Sequence, residues 1–271
     1  MRWTRTSNGI SSRWRERRSP PAPRRRARRA GDPRREAPAL IAADREVRVG
    51  STHHATVERV DDRDHVIIEP LPDLTEVLGR LVGPLVVLDT ETTGLHRHNG
   101  DRLISLAVLP LDRDRGPGEE RVTFAAYRLT VNPGRPSSPQ ALAVHGLTEA
   151  ELATKPALSR AMASQVVRFI GGSTVVAHNT PFDAGFVQSE CERLGMGWRP
   201  DEGQVVDTRL LCKLLWPGEP GSLDALATRL GVDRGDRDAG HDALADARLL
   251  ARCLPGLVEA LVRHIHGKAA A

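Results

Sequence analysis

Residues 85–95 read LVVLDTETTGL, a short apolar run that ends in two acidic residues and a Thr-Thr-Gly turn. A continuous apolar run of this length predicts a buried strand. Because side chains alternate along a strand, Asp89 and Glu91 are predicted to point to the same side of the sheet. Burying unpaired carboxylates is costly, so two acids at a strand end need a partner. That partner is either a set of cationic side chains or a group that the sequence does not contain.

Further strands and helices are predicted on both sides of this run. The segment RLISLAVLPLD predicts a second strand, and RVTFAAYRLTVNP alternates with period two, which places Val122, Phe124 and Ala126 on one side. The turn residues between these two segments favour an antiparallel pair. Before the run, HVIIEP predicts a short strand. A helix follows HVIIEP, with four apolar residues on one face: Leu74, Val77, Leu78 and Leu81.

The second half of the chain predicts mostly helices. Thr148 and Glu151 have the spacing of a capping box, so we exclude Glu151 from catalysis. STVVAHN predicts a strand, and the next helix opens at Pro181. Other helices are predicted over 158–170 and near 207–215, 222–230, 242–253 and 256–265. Adjacent strands followed by alternating helices and strands predict one mixed α/β domain.

Charge divides the chain into a basic arm and a mildly acidic body. Residues 1–48 hold 15 Arg against five acidic residues, which leaves 24 basic and 30 acidic residues elsewhere. The arm has little apolar periodicity, so we expect it to be disordered. An arm that touches nucleic acid, a targeting peptide and translation from too early a start codon are the competing interpretations. We expect an extension over 49–83 and a catalytic domain over 84–266.

Other compositional features narrow the class of protein. The three cysteines, Cys191, Cys212 and Cys253, lack metal-type spacing, and an odd number argues against a disulfide framework. We therefore expect reduced, buried thiols in a cytoplasmic protein. The sequence contains no run of 18 apolar residues, so no membrane-spanning segment is predicted.

Two further stretches combine acidic residues with helix starts. In VVAHNTPFDAGF, Asp183 falls in the first turn of a helix, where the helix dipole alone favours an acid. In GHDALADARLL, His241 and Asp246 converge only if Asp242 is the N-cap and His241 lies just before the helix. Asp236 and Asp238 are interpreted, like Asp242, as loop or cap residues.

The order of these pieces resembles the DEDDh (DnaQ-like) 3′–5′ exonucleases, and among them the exonuclease domain of bacterial DNA polymerase III epsilon subunits. The resemblance covers about residues 84–254 and is carried by five motifs: VVLDTETTGL, AVHGLTEAEL, VVAHNTPFDAGFV, VVDTRLLCKLLWPGEPGSLDALATRLGV and HDALADARLLA. It implies a ribonuclease H-like mixed β-sheet flanked by helices. It also implies hydrolysis that releases nucleoside 5′-monophosphates from 3′ ends.

The resemblance assigns roles to individual residues. Asp89, Glu91, Asp183 and Asp246 would bind two Mg²⁺ or Mn²⁺ ions, which prefer carboxylate oxygens. His241 would take the proton of the attacking water. Four residues match substrate-contact positions: Thr92, Leu95, Gln140 and His145. Gln140 occupies a position where polymerase-associated members carry Glu. His178 and Asn179 are expected to shape the turn before Asp183.

The resemblance allows two substrates, DNA and RNA, and two settings, a free-standing enzyme and a polymerase subunit. The DTETTGL form resembles the DNA-directed branch, so we expect DNA 3′ ends as substrate and keep RNA as the alternative. Only 25 residues follow Asp246, so the polymerase-binding tail of the family is not evident. We therefore favour a free-standing exonuclease over a polymerase subunit. Two rival hypotheses are a nuclease-like scaffold that does not cut, and an Arg-rich nucleic-acid-binding protein whose function resides in residues 1–48.

Overall fold

The computed structural model describes residues 47–49, 53–60, 63–111, 126–234 and 242–269. Residues 1–46 of the predicted arm lie outside this set, as do Val122 and Phe124. Within it, the strands are β1 (Val47–Val49), β2 (His53–Val60), β3 (Arg63–Pro70), β4 (Leu85–Thr92), β5 (Leu103–Leu111), β6 (Tyr127–Thr130), β7 (Thr174–Ala177) and β8 (Val205–Asp207). The strand predicted in HVIIEP is confirmed as part of β3.

The strands form two sheets. A small antiparallel sheet has the order β1-β2-β3, and the sheet that carries the acidic residues has the order β6-β5-β4-β7-β8. β4 pairs antiparallel with β5 and parallel with β7. β5 pairs antiparallel with β6, as predicted. The β4–β5 register shifts between Glu91 and Thr92, so the strand is irregular where its two acids lie. Such irregularities re-aim side chains at the end of a strand.

Helices cover both faces of the larger sheet. They are α1 (Leu74–Arg80), α2 (Pro139–His145), α3 (Glu149–Ala153), α4 (Arg160–Ile170), α5 (Thr180–Arg193), α6 (Thr208–Leu215), α7 (Leu223–Leu230) and α8 (Ala243–Ala269), with 3₁₀ turns at Arg97–Asn99 and Glu202–Gln204. The predicted capping box of Thr148 and Glu151 is confirmed at the start of α3. Two elements were not predicted from the sequence: α2 and the three-residue strand β8. None of the helices described is long and apolar enough to cross a membrane.

Alternation along β4 divides the core into two layers. Leu85 and Val87 pack in a cluster that includes residues of α1, α6, α7 and α8. Val86 and Leu88 pack in a second cluster with residues of α4 and α5. The odd-numbered positions of β4 therefore face the α8 layer and the even-numbered positions face the α5 layer. At the C-terminal end of β4, odd-numbered residues are therefore close to α8 and even-numbered residues are close to α5.

The prediction of two helices, at 242–253 and 256–265, is wrong, because α8 continues through Pro255. Proline inside a helix removes a hydrogen bond and costs about 3 kcal/mol or more. Leu254, Leu257 and Leu261 are fully buried around this point. Each buried leucine contributes about 1.5–3 kcal/mol, so their packing outweighs the cost of the proline.

Candidate metal centre

Three acidic side chains meet where β4 ends beside the start of α8. Asp89 is partly buried and Glu91 is 8% exposed, and both occupy odd-numbered positions facing α8. Asp246 lies in the first turn of α8 and is 5% exposed. One ligand oxygen from each of the three carboxyl groups lies within 4.8 Å of the other two. The convergence predicted for Asp89, Glu91 and Asp246 is therefore present in the folded chain.

The start of α8 is fixed by Asp242, as the sequence predicts. The Asp242 side chain accepts hydrogen bonds from the backbone N–H of Leu244 at 2.8 Å and of Ala245 at 3.2 Å. It also forms an ion pair with Arg128 of β6, which ties the helix start to the edge of the sheet. Asp242 thus caps α8 and fixes where the helix begins, which places Asp246 one turn further along the helix. His241, Asp236 and Asp238 lie outside the described residues.

Asp183 approaches from the opposite layer and is not part of the group of three. It lies in the first turn of α5, is 5% exposed, and accepts a 2.7 Å hydrogen bond from the hydroxyl of Thr90. Thr90 is the even-numbered residue between Asp89 and Glu91, so Asp183 lies next to the group on the α5 side. The fourth predicted acid is thus adjacent to the other three but separately held.

Burial dominates the electrostatics of Asp183. Desolvation raises its pKa to about 7, and the charges of Asp207 and Glu91 add to the increase while the Thr90 hydrogen bonds oppose it. A carboxyl group with this pKa carries a proton much of the time near neutral pH unless a positive charge is close by. The environment of Asp183 therefore favours a cation as its partner.

The turn before α5 has an unusual backbone. Asn179, its N-cap, has φ 122° and ψ 62° and is the only non-glycine residue with positive φ among those described. A conformation of this kind costs on the order of 1–3 kcal/mol and persists only where the surroundings enforce it. The ring of the preceding His178 lies 3.0 Å from the Thr208 hydroxyl and 2.7 Å from the Gly221 carbonyl oxygen. This agrees with the predicted turn-shaping role of His178 and Asn179.

Asp207 is a partly buried acid that was not singled out in the sequence. It ends β8 and caps α6, accepting hydrogen bonds from the backbone N–H of Arg209 at 2.8 Å and of Leu210 at 3.2 Å. Desolvation raises its pKa to about 6, while the backbone hydrogen bonds from Leu210 and Arg209 oppose the increase. The signal in the sequence was an apolar Val-Val pair followed by Asp at a helix start, which is typical of a cap and did not distinguish this residue from others.

The space beside Gly94 is filled by the side chain of Asp101. A side chain at Gly94 would overlap the carboxyl group of Asp101. Asp101 accepts hydrogen bonds from the Thr93 hydroxyl at 3.0 Å and from the His96 backbone N–H at 2.9 Å. Glycine is therefore needed so that Asp101 can brace the turn, and the space at that position is already filled.

The predicted substrate-contact residues line the same turn and the helix beside it. Leu95 is 49% exposed and Gln140 is exposed in the first turn of α2. The Thr92 hydroxyl donates to the carbonyl oxygen of Gly94 at 2.6 Å, so this side chain is used within the turn. The start of α2 is attached to the turn because the Ser138 N–H donates to the Thr93 carbonyl at 2.8 Å. Two exposed apolar residues of α2, Leu142 and Val144, were not singled out in the sequence.

The two ring nitrogens of His145 differ in their hydrogen bonding. The ring is 6% exposed, and its Nδ1 accepts a 2.9 Å hydrogen bond from the backbone N–H of Leu147. Burial lowers its pKa, so the ring is neutral near pH 7 and carries its proton on Nε2. Nε2 is buried and has no hydrogen-bond partner among the described residues, which is unusual for a buried donor and marks it as a candidate for ligand contact.

A partly buried salt bridge attaches the loop after β4 to α5. Glu190 is 2% exposed and is held by Arg102 through two hydrogen bonds of 2.7 and 2.9 Å. Arg193 adds a third at 3.1 Å, and the Leu103 backbone N–H a fourth at 3.2 Å. This network fixes β5 and the preceding loop against the helix that carries Asp183.

The sheet order, with helices on both faces and acids at the end of its central strand, is that of ribonuclease H-like nucleases. The chain belongs to the exonuclease family, whose family model matches residues 86–254. This confirms the family and the fold that the resemblance implied.

Relatives and solved structures agree with this assignment. The chain is 36% identical over 171 residues to the DNA polymerase III subunit epsilon of Pasteurella multocida, a match that covers 61% of this chain and 64% of that protein. It is 33% identical over 168 residues to the subunit from Rickettsia prowazekii, covering 61% and 70% of the two chains. The chain thus spans slightly less than two thirds of the Pasteurella protein.

One solved structure shows the same fold at low identity. The nuclease domain of 3′hExo, a DEDDh family member bound to rAMP, superposes with a TM-score of 0.53 at 15% identity. The match covers 65% of this chain and 92% of that domain. At this identity the likeness concerns the fold alone.

Membership of the DEDDh-type family implies divalent metal ions, and the donor set is suited to them. Oxygens from three carboxyl groups lie close enough together to ligate one cation. Hard divalent ions such as Mg²⁺ and Mn²⁺ take oxygen ligands of this kind. Three neighbouring negative charges, two of them more than nine-tenths buried, would otherwise repel each other at close range.

Proposed function

We propose that this protein is a metal-dependent 3′–5′ exonuclease that releases nucleoside 5′-monophosphates from the 3′ ends of DNA. The observation that carries the proposal is the convergence of Asp89, Glu91 and Asp246, with Asp183 beside them on Thr90. Family membership over residues 86–254 supports the reaction class. The names of the relatives support DNA rather than RNA as the substrate.

Asp89, Glu91, Asp183 and Asp246 would together hold two Mg²⁺ or Mn²⁺ ions. When bound, two such ions position the attacking water and neutralise charge on the phosphate. The water oxygen adds to phosphorus and the P–O3′ bond breaks, which leaves a 5′-monophosphate and a new 3′-hydroxyl end. Thr90 occupies one oxygen of Asp183, so the other oxygen is the one available for an ion.

His241 is proposed as the general base that receives the proton of the attacking water. It directly precedes Asp242, the cap that fixes the start of α8, so it is joined to the same helix end as Asp246. A positioned histidine with a pKa near the working pH is suited to this task and contributes about 10²–10⁴-fold in rate.

The terminal nucleotide is proposed to contact four residues: Thr92, Leu95, Gln140 and His145. Leu95 offers exposed apolar surface for the terminal base. His145 offers its unpartnered Nε2–H as a hydrogen-bond donor. Gln140 supplies a neutral amide. Thr92 acts through the shape of its turn, because its hydroxyl is bonded to Gly94.

The cellular setting is also a proposal. The three cysteines are buried, as predicted, and form no disulfide bond among the described residues, which is compatible with a reducing, cytoplasmic location. We propose that the isolated protein cuts without a polymerase, although relatives that are polymerase subunits make a DNA polymerase the candidate protein partner.

The test uses purified full-length protein with 5′-labelled single-stranded DNA and an RNA of the same sequence. Each is incubated with Mg²⁺, with Mn²⁺ and with chelator. We expect a metal-dependent ladder that shortens from the 3′ end and forms faster on DNA, and no ladder with Asp246→Ala. Faster cleavage of RNA would assign the activity to RNA. Absence of cleavage on both substrates with wild-type protein would refute free-standing exonuclease action.

A further inference from the structure

Thr90 lies between the two acids of β4 but points to the other side of the sheet. It follows Val86 and Leu88 at the even-numbered positions, and these two residues pack in the cluster that includes residues of α4 and α5. Thr90 is 7% exposed, so its hydroxyl needs a partner inside the protein. The side chain branches at Cβ, which restricts its rotamers and therefore the direction of the hydroxyl.

The partner of this hydroxyl is the carboxylate of Asp183. Thr90 Oγ1 donates to Asp183 Oδ1 at 2.7 Å, and both side chains are buried. The two residues belong to elements that the core packs together, because Ala184 and Val187 of α5 lie in the same cluster as the even-numbered residues of β4. The hydrogen bond is therefore a direct link between β4 and α5 beside the three clustered acids.

One carboxylate oxygen of Asp183 is thereby engaged before any ion binds. A carboxylate can ligate an ion through one oxygen or through both. With Oδ1 held by Thr90, Asp183 is expected to offer Oδ2 alone. Mg²⁺ requires a near-octahedral shell, which suits single-oxygen ligands, whereas Ca²⁺ takes about six to eight oxygens and accepts carboxylates through both.

We propose that Thr90 is a positioning residue for the metal centre: its hydroxyl fixes Asp183 as a one-oxygen ligand and so favours Mg²⁺ or Mn²⁺ over Ca²⁺. This inference rests on the proposed function, because it takes Asp183 to be a metal ligand. Groups that orient metal ligands typically change metal affinity or activity about 10–100-fold when they are altered. Thr90 is not a member of the group of three acids, so its effect is exerted through Asp183.

Substitutions at position 90 separate the hydroxyl from the rest of the side chain. Thr90→Val keeps the branched shape and removes the hydroxyl, which releases Oδ1 of Asp183. Thr90→Ser keeps the hydroxyl and removes the methyl group. The matched control is Thr180→Val, because Thr180 is a buried residue of the helix that carries Asp183. The Thr180 hydroxyl donates to a backbone carbonyl, that of Val206 at 2.8 Å, and not to an acid.

The experiment measures Mn²⁺ and Ca²⁺ binding to metal-free protein by titration calorimetry, and folding by thermal unfolding. The proteins are wild type, Thr90→Val, Thr90→Ser, Thr180→Val and Asp183→Asn. We expect Thr90→Val to melt cooperatively, to bind Mn²⁺ about 10–100-fold more weakly and to lose less affinity for Ca²⁺. The ratio of Mn²⁺ to Ca²⁺ affinity should therefore fall in Thr90→Val and stay near the wild-type value in Thr90→Ser and Thr180→Val.

Failure of this inference and failure of the proposed function are distinguishable. If wild type and Asp183→Asn bind Mn²⁺ alike, Asp183 is not a ligand and the proposed metal centre fails with the inference. If Asp183→Asn weakens binding but Thr90→Val leaves the affinity ratio unchanged, only the inference fails. An equal loss in Thr90→Ser or Thr180→Val would also overturn it, because both variants keep the hydroxyl that binds Asp183. Should Thr90→Val not melt cooperatively, Thr90→Ala takes its place in the same titrations, with the same fall in the ratio expected.

Discussion

Replacing Asp183 with asparagine should stabilise the metal-free protein at high pH. The pKa of Asp183 is raised by burial from 3.8 to about 7, so the folded state binds this proton more tightly than the unfolded state does. The stability that protonation contributes is complete below about pH 4 and is lost as pH rises through about 7. Asparagine does not titrate and can still accept the Thr90 hydrogen bond, so the variant avoids this loss.

The magnitude follows from the difference between the two pKa values. Each pH unit between them corresponds to about 1.4 kcal/mol, so the total is on the order of 4 kcal/mol, of which about 2–3 kcal/mol is lost between pH 5 and pH 8. For a chain of this size, 1 kcal/mol changes the melting temperature by about 2–4 °C. The quantity to compare is the melting temperature of Asp183→Asn minus that of wild type. We expect this difference to be roughly 5–10 °C larger at pH 8 than at pH 5.

The assay is thermal unfolding in chelator at both pH values. Asp73→Asn serves as the control, because Asp73 also caps a helix but is exposed, and its difference from wild type should not vary with pH. Adding Mg²⁺ at pH 8 should stabilise wild type more than Asp183→Asn. A difference between Asp183→Asn and wild type that is equal at the two pH values, or smaller at pH 8, would refute the reasoning.

Three other substitutions test separate parts of the account. His241→Ala should lower kcat by about 10²–10⁴-fold while Mn²⁺ binding by calorimetry stays near normal, and unchanged turnover would exclude His241 as the base. Glu190→Gln should lower the free energy of unfolding in urea by about 1–3 kcal/mol, because a neutral amide replaces the buried carboxylate that binds two partly exposed arginines. Glu192→Gln, at an exposed neighbour, should cost less than about 0.5 kcal/mol, and equal losses would contradict this explanation. Gly94→Ala should lower both the melting temperature and the cleavage rate, because the added methyl group would displace Asp101. The control is Gly197→Ala, whose added methyl group meets nothing within 4 Å. If Gly94→Ala changes neither quantity, Asp101 does not brace the turn.

Local sequence patterns were sufficient to predict those elements of the fold that a few neighbouring residues determine. The apolar run of β4, the capping box of α3 and the cap at Asp242 each follow from a few neighbouring residues, and the structure confirms them. Continuation of α8 through Pro255 was mispredicted because the helix is held by leucines packed in the core, which a local breaker signal does not reveal.

The candidate site was also predicted only in part from the sequence. Alternation along β4 placed Asp89 and Glu91 together, and the family resemblance added Asp246. The separate position of Asp183 depends on which layer its helix occupies, which only the sheet order determines. Asp207 and Asp101 were missed because the local sequence does not reveal their neighbours: Asp207 acts electrostatically on Asp183, and Asp101 packs against Gly94.

Product analysis in ¹⁸O-labelled water tests the central claim most directly. Wild-type protein is incubated with single-stranded DNA and Mg²⁺, and the released nucleotides are identified by mass spectrometry, with Asp89→Ala as the blank. The account predicts nucleoside 5′-monophosphates that carry one ¹⁸O on phosphorus and that disappear in the blank or with chelator. Release of 3′-monophosphates, or release that is unaffected by chelator or by Asp89→Ala, would contradict it.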